Sequence, residues 1–266
     1  MSILKAFLYT ILAFIFWTLI QLSILLPVKY FIGTPEDFTH IIGITKIVSV
    51  VGAFLLIYYL FWKPNFDFRK ALKITNYSSN IYLYLPLLGI GLWLVYRPFW
   101  DFSKILDYYQ GVSFLHTPII SNNHTALIYS LISTLLISPI IEELFFRRFL
   151  LEKLSQRYKP KLSLVISSLC FSIIHIETPN NLIPTFIGGV VLGIIYLKTR
   201  KIGYCVMLHF TINLIVLTIN NLEYFRDNRK TGYNFDSIYW ISFVIGIFIT
   251  FIGLKKLINA NKEKSK

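Results

Sequence analysis

Residues Ala6–Val28, AFLYTILAFIFWTLIQLSILLPV, hold 23 positions without a single charged side chain. A helix rises 1.5 Å per residue, and about 20 residues suffice to cross the ~30 Å hydrocarbon core of a bilayer. Seven further apolar runs follow, at about Ile41–Trp62, Ile81–Tyr96, Ala126–Ile141, Leu162–Ile176, Leu182–Leu197, Ile202–Ile219 and Ile238–Leu254. Several of these are short for a span, which predicts helices that continue through polar residues. The chain as a whole, 266 residues, is 55% apolar and 15% charged, with a mean hydropathy of +0.62. A soluble domain carries about 25% charged residues. A transmembrane β-barrel would show alternating segments of ~10 residues, and the sequence has none. The prediction is an all-α polytopic transmembrane helical bundle of about eight transmembrane helices, forming a single transmembrane domain over residues 1–266.

The first run follows the lone Lys5 and is succeeded by Pro27, Val28 and Lys29 in place of a small-residue cleavage site. It therefore reads as a retained span and not as a removed signal peptide. Cys170 and Cys205 lie inside apolar runs, which suggests neither a disulfide framework nor a redox pair.

Charge tests the count of spans. The N-terminus, the loops after spans two, four and six, and the C-terminal tail hold 19 of the 26 Lys and Arg. The opposite segments, with Lys46 assigned to them, hold 7, and the acidic residues divide the other way, 5 against 8. Cytoplasmic loops are enriched in Lys and Arg, so both termini are expected in the cytoplasm. The net charge of +13 is then topology signal and calls for no nucleic acid partner; the expected surroundings are the lipid bilayer.

Ionisable residues at membrane depth are costly and usually mark function or pairing, and three places break the apolar pattern. In Ser138–Arg147, SPIIEELFFR, Glu143 and Arg147 are i,i+4 neighbours that can pair. Glu142 points roughly 100° away. A carboxylate without a cationic partner in an apolar bundle is suited to general-base work; the plain alternative is a structural ion pair at the membrane surface. His175 closes the run FSIIH late in span five, where a packed, hydrogen-bonded histidine is the simpler reading. His209 and Asn213, in HFTIN, share one face of span seven and could simply bridge helices. Cys205 shares that face as a small packing residue. Gly189 and Gly193 in span six read as a close-packing pair.

Spacing brings the first two sites to one height. Glu142 lies about 17 residues before the turn Tyr158-Lys159-Pro160 and His175 about 16 after it, each ~24 Å away if both arms are helical. This height falls in the cytoplasmic half of the bilayer, with Leu144–Lys161 projecting as an interfacial segment, and His209 reaches a similar depth from Gly203. Glu142, His175 and His209 could then meet. One Glu and two His form a ligand set for zinc with an open position. The same residues serve equally well without metal, with Glu142 and His175 activating water and His209 and Asn213 as oxyanion donors. Either version hydrolyses an acyl bond, most naturally a peptide. The segment Glu177–Asn181 could shape the pocket.

With EELFFR, FSIIH and HFTIN in this order on successive spans, the sequence resembles the CPBP family of intramembrane proteases, whose motifs are EExxxR, FxxxH and HxxxN. That family includes CaaX prenyl endopeptidases and the bacteriocin-processing and immunity (Abi-like) proteins of bacteria. The resemblance covers about Ala126–Ile219, taken as the catalytic core. It implies that Glu142 and His175 activate the attacking water and that His209 and Asn213 polarise the carbonyl or share a metal with them. It also implies that Glu143 and Arg147 hold helix four. The expected partner is a membrane-associated peptide or protein substrate, cleaved at a CaaX-type tail or, in a bacterial cell membrane, in leader-peptide or bacteriocin processing. A proton-coupled transporter and a non-catalytic immunity or scaffold protein are the competing classes; intramembrane Glu and His also relay protons, but the ionisable residues crowd into spans four to seven without a repeat.

Overall fold

The computed structural model describes residues 1–32, 38–62, 81–110, 128–129, 131–221 and 235–263. Among them there is no strand. In chain order the helices are α1 (Ile3–Ile32), α2 (Phe38–Ile57, ending in a π-type turn at Tyr58–Trp62), α3 (Ile81–Trp100) and α4 (Phe102–Tyr109). There follows α5, a continuous helix through Ile132–Ile137, Ser138–Glu143, Leu144–Leu151 and Glu152–Ser155, of which the first and third stretches are π-type. The remaining helices are α6 (Pro160–Ile173), α7 (Leu182–Thr199, preceded by one 3₁₀ turn at Pro179–Asn181), α8 (Ile202–Asn221) and α9 (Ser237–Glu263).

The chain is an all-α polytopic integral membrane protein. Among the described residues, five stretches are long and apolar enough to cross a bilayer: Ile3–Phe31, Ile41–Trp62, Pro179–Thr199, Ile202–Ile219 and Ser237–Asn261. The other three expected spans are helical but differ. Helix α3 carries Arg97 and two prolines, Pro86 and Pro98. Of the fourth expected span, Ala126, Leu127 and Ser130 lie outside the described residues. Helix α6 has 14 residues, about 21 Å at 1.5 Å each and so shorter than the hydrocarbon core. The basic loop expected after span two and the opposite-side segment after span seven likewise fall largely outside the described residues.

The chain forms two compact units, Met1–Lys73 with Ser121–Ile174, and Ile74–Ile120 with His175–Lys266. In the first, α1 packs on α2 and α6 packs on α5. Its core is built from the π-type stretch of α5: Leu144, Phe145, Phe146, Phe149, Leu150 and Leu151 are all buried. Phe149 meets the buried Trp62 ring at 5.0 Å and Tyr9 at 5.8 Å. The interfacial role expected for the start of Leu144–Lys161 is thus corrected. Its apolar side chains are core, because Trp62 and Tyr9 cover them.

In the second unit, α3 and α9 run antiparallel at very close range. A Cβ placed on Gly246 would lie 2.6 Å from Leu94 Cβ and 3.0 Å from the Gly91 carbonyl oxygen, and one on Gly91 would lie 2.8 Å from the Thr250 nitrogen. Small residues permit such approach of backbones, and van der Waals contact then drives helix association in lipid. Gly189 and Gly193, read as a packing pair, are buried in α7, while the tightest approach to that helix falls on their neighbour Gly188, whose added Cβ would lie 2.5 Å from Tyr96 Oη.

Because the atoms facing Gly246 are backbone and Cβ, they cannot swing away. Gly246→Leu is expected to cost at least ~2–3 kcal/mol and to lower the thermal midpoint of the purified protein. A Thr250→Ser change in the same helix should leave the midpoint nearly unchanged.

Candidate active site

The first unit holds Glu142, Glu143, Arg147 and Phe171. Glu143 ends the α-helical stretch Ser138–Glu143, and Arg147 lies one turn on, in the π-type stretch. The i,i+4 pairing forms: Arg147 Nε is 3.0 Å from Glu143 Oε2, with side-chain exposures of 1% and 0%. Burying two charges removes several kcal/mol of hydration from each, which their mutual attraction and hydrogen bonding must offset. A third group completes the pair. The Arg147 guanidinium sits 4.4 Å from the centroid of the Phe171 ring, a cation–π contact whose value rises when the cation is desolvated. Phe171 also meets Phe146 edge-on at 5.1 Å, and Ser167 Oγ donates to the Phe146 carbonyl at 2.8 Å. The phenylalanine of FSIIH therefore caps the arginine of EELFFR, a link between two motifs that spacing alone does not reveal.

Glu142, half-buried, lies next to this pair but about 100° around the helix. Because the Arg147–Phe171 and Ser167–Phe146 contacts hold α5 against α6, they set the direction of Glu142 as well.

His175 is placed differently from expectation. Helix α6 ends at Ile173, so His175 occupies the turn after it and is not a helical residue. It belongs to the second unit, where a chain of hydrogen bonds determines its backbone. Its carbonyl accepts the Thr178 N–H at 3.0 Å and the Thr178 hydroxyl at 3.2 Å. Asn181 Nδ2 donates to Thr178 Oγ1 at 3.1 Å, and Trp100 Nε1 donates to Asn181 Oδ1 at 2.6 Å. The turn after His175 is thereby fastened to the end of α3. Glu177, Thr178, Pro179 and Asn180 are exposed.

His209 and Asn213 share one face of α8, one turn apart, with His209 at 8% exposure and Asn213 half-buried. Cys205, one turn earlier on the same face, donates its Sγ–H to the Leu192 carbonyl of α7 at 3.3 Å. Cys205 is a buried packing residue and, like Cys170, a free thiol.

A Glu/His/His set draws Glu142 from one unit and the two imidazoles from the other. Among the described residues, no three His, Cys, Asp or Glu side chains form a group able to hold a metal ion. The side chains themselves offer a carboxylate, two imidazoles and an amide. Phe171 and Trp100 are the participants that sequence reading missed, whereas Thr178 and Asn181 lie in the segment Glu177–Asn181 expected to shape the pocket. Phe171 lies within a quoted motif, whereas Trp100 stands 75 positions before His175 and carries no local signal.

Removing one partner of a buried pair leaves an uncompensated charge. Arg147→Met is expected to cost ~3–5 kcal/mol, read as a fall in thermal midpoint, and the double change Glu143→Gln/Arg147→Met should recover most of it.

Comparison with curated proteins and with solved structures gives no match. A family model described as Rce1-like, type II CAAX prenyl endopeptidase Rce1-like, matches residues 124–215. The matched segment contains EELFFR, FSIIH and HFTIN whole and leaves α1 to α4 and α9 outside. Over this segment, about a third of its length, the chain is similar to the Rce1-like family.

Proposed function

We propose that the protein is an intramembrane endopeptidase that hydrolyses a peptide bond of a membrane-associated peptide or protein, with Glu142 and His175 acting on water. The carrying observation is the match over 124–215, which names CAAX-type endopeptidases and encloses every residue the chemistry needs. Glu142 takes a proton from water, and the hydroxide adds to the carbonyl carbon. His209 and Asn213 donate to the developing oxyanion, a contribution often worth 10²–10³ in rate for one donor. As the C–N bond breaks, the proton that Glu142 and His175 took from water is returned to the departing amine. Water activation by a metal on the same Glu/His/His donors is the variant that metal analysis of the purified protein separates from this one.

The substrate suggested by the family model is the C-terminal tail of a prenylated protein; a leader peptide or bacteriocin precursor is the second candidate. The charge asymmetry favours both termini in the cytoplasm, with the substrate entering from the inner leaflet.

Glu142→Gln and His175→Ala are each expected to lower cleavage at least ~10³-fold and His209→Ala ~10²-fold, with the fold retained. The assay compares a farnesylated CAAX peptide with an unprenylated leader peptide in proteoliposomes. Full activity in either of the first two variants would sink the reading. Solute flux without cleavage would favour a transporter, and self-protection that survives Glu142→Gln would favour a non-catalytic immunity protein.

Trp100→Phe keeps the ring against Tyr96 but removes the N–H that holds Asn181. On this reading kcat should fall about tenfold, the effect of losing ~1.4 kcal/mol, with KM changed by less than about twofold. A merely structural role would lower the thermal midpoint and leave kcat per folded molecule unchanged.

A further inference from the structure

Helix α4, Phe102–Tyr109, lies outside the segment that carries the motifs, and its sequence FSKILDYY is strongly two-faced. At 100° per residue, Phe102, Ile105, Leu106 and Tyr109 fall within one arc of about 100°, and Ser103, Lys104 and Asp107 fall on the opposite arc. The apolar arc points away from the rest of the unit: Phe102 is 60%, Leu106 46% and Tyr109 64% exposed. On the polar side Lys104 Nζ lies 3.1 Å from Asp101 Oδ1 at the start of the same helix. Left in water, three exposed large apolar side chains on about two turns of helix would be unfavourable at roughly 25 cal/mol per Å².

The direction of α4 follows from its fastenings. At its start, Tyr239 Oη donates to Asp101 Oδ2 at 3.3 Å. At its end, eight residues and ~12 Å farther along, Tyr109 Oη donates to the Phe235 carbonyl at 3.1 Å and accepts the Trp240 Nε1–H at 3.3 Å. Both ends are thus held by residues 235–240, the first turn of α9 and the residues just before it. These bonds keep the side chain of Tyr109 near the level at which α9 begins.

That level is marked independently. Ser237–Asn261 is long and apolar enough to cross a membrane, and its outward residues Ile238, Ile241, Val244, Ile245 and Phe248 are exposed. Around its start gather Arg97, Tyr109, Tyr239 and Trp240, with Arg97 4.7 Å over the Tyr239 ring and 5.3 Å from the Trp93 ring. Trp and Tyr concentrate where hydrocarbon meets water. Through the Tyr109–Trp240 bond the exposed stripe of α4 continues the exposed apolar face of α9.

We infer that α4 is an in-plane interfacial helix whose partner is the lipid surface itself, with Phe102, Leu106 and Tyr109 seated at the headgroup–acyl boundary. The assignment is independent of the peptidase reading.

The test places a nitroxide on Cys introduced at Phe102, Ser103, Leu106 or Asp107 in the full chain, reconstituted in phosphatidylcholine/phosphatidylglycerol vesicles. Cys170 and Cys205, both 0% exposed, give little background labelling. The ratio of oxygen to nickel-chelate collision should be at least ~3-fold higher at 102 and 106 than at 103 and 107. High chelate collision at all four positions would overturn the inference, since the stripe would then face water. Low collision with both reagents at 102 and 106 would overturn it too, since protein would then cover the stripe. Because Ser103 and Asp107 lie off the stripe, a fold perturbed by one label is recognised by disagreement between the pairs.

Discussion

A charge inside an apolar helical bundle has to be answered on the spot, and in this chain Glu143 and Arg147 answer one another within a single turn of α5. Desolvation makes the pair expensive, so every remaining direction around the guanidinium matters. The Phe171 face takes one of those directions at 4.4 Å, and Ser167 joins the same two helices through the Phe146 carbonyl. Together these contacts fix the rotation of α5 and the register of α6 against it. Glu142 then faces a direction decided by the contacts of α5 with α6, and α6 delivers the chain toward His175 from a fixed end. The arginine and both glutamates of one motif are in this sense a single mechanical unit with the phenylalanine of the next.

The second unit is ordered by a different force. Hydrophobic burial does little between helices that lipid could cover equally well, so close packing takes over. Glycines on α3 and α9 allow backbone contact, and the Cys205–Leu192 bond sets the face that α8 turns toward α7. Since His209 and Asn213 repeat at one-turn intervals from Cys205, their direction is inherited from a packing contact. A small thiol with no chemical task thereby decides where two polar side chains point.

What the sequence made legible depended on how local the physics was. The all-α class, the boundaries Ile41–Trp62 and Ile202–Ile219, and the Glu143–Arg147 pairing follow from hydropathy and one-turn spacing, and the structure holds all of them. The end of α6 was not legible: Ile173, Ile174 and Ile176 continue the apolar run, and the first breaker is Pro179, whereas the helix stops at Ile173. The Leu144–Leu151 stretch was misread because a count of charges does not distinguish an arginine that snorkels to water from one compensated inside the core. Trp100 was invisible for a third reason, being a partner found only through the fold. The joint placement of Glu142 with His175 and His209 depends on all three kinds of information and so stays a proposal about chemistry.

Where a helix stops at the edge of hydrocarbon, the following residue loses the rigidity that a ladder of backbone bonds provides. Water there competes for every exposed donor and acceptor, so only partly sheltered bonds hold a turn in place. Tryptophan and tyrosine suit this task because each offers a large apolar body and one polar atom at its rim. Trp100 uses its N–H on the turn after His175, and Tyr109 and Trp240 use theirs to hold α4 against the start of α9. The belt that positions the unit in the interface therefore also sets the backbone from which His175 projects. A change in how deeply that belt sits in the bilayer would reach His175 through two side-chain hydrogen bonds and one carbonyl, without passing through any transmembrane helix core.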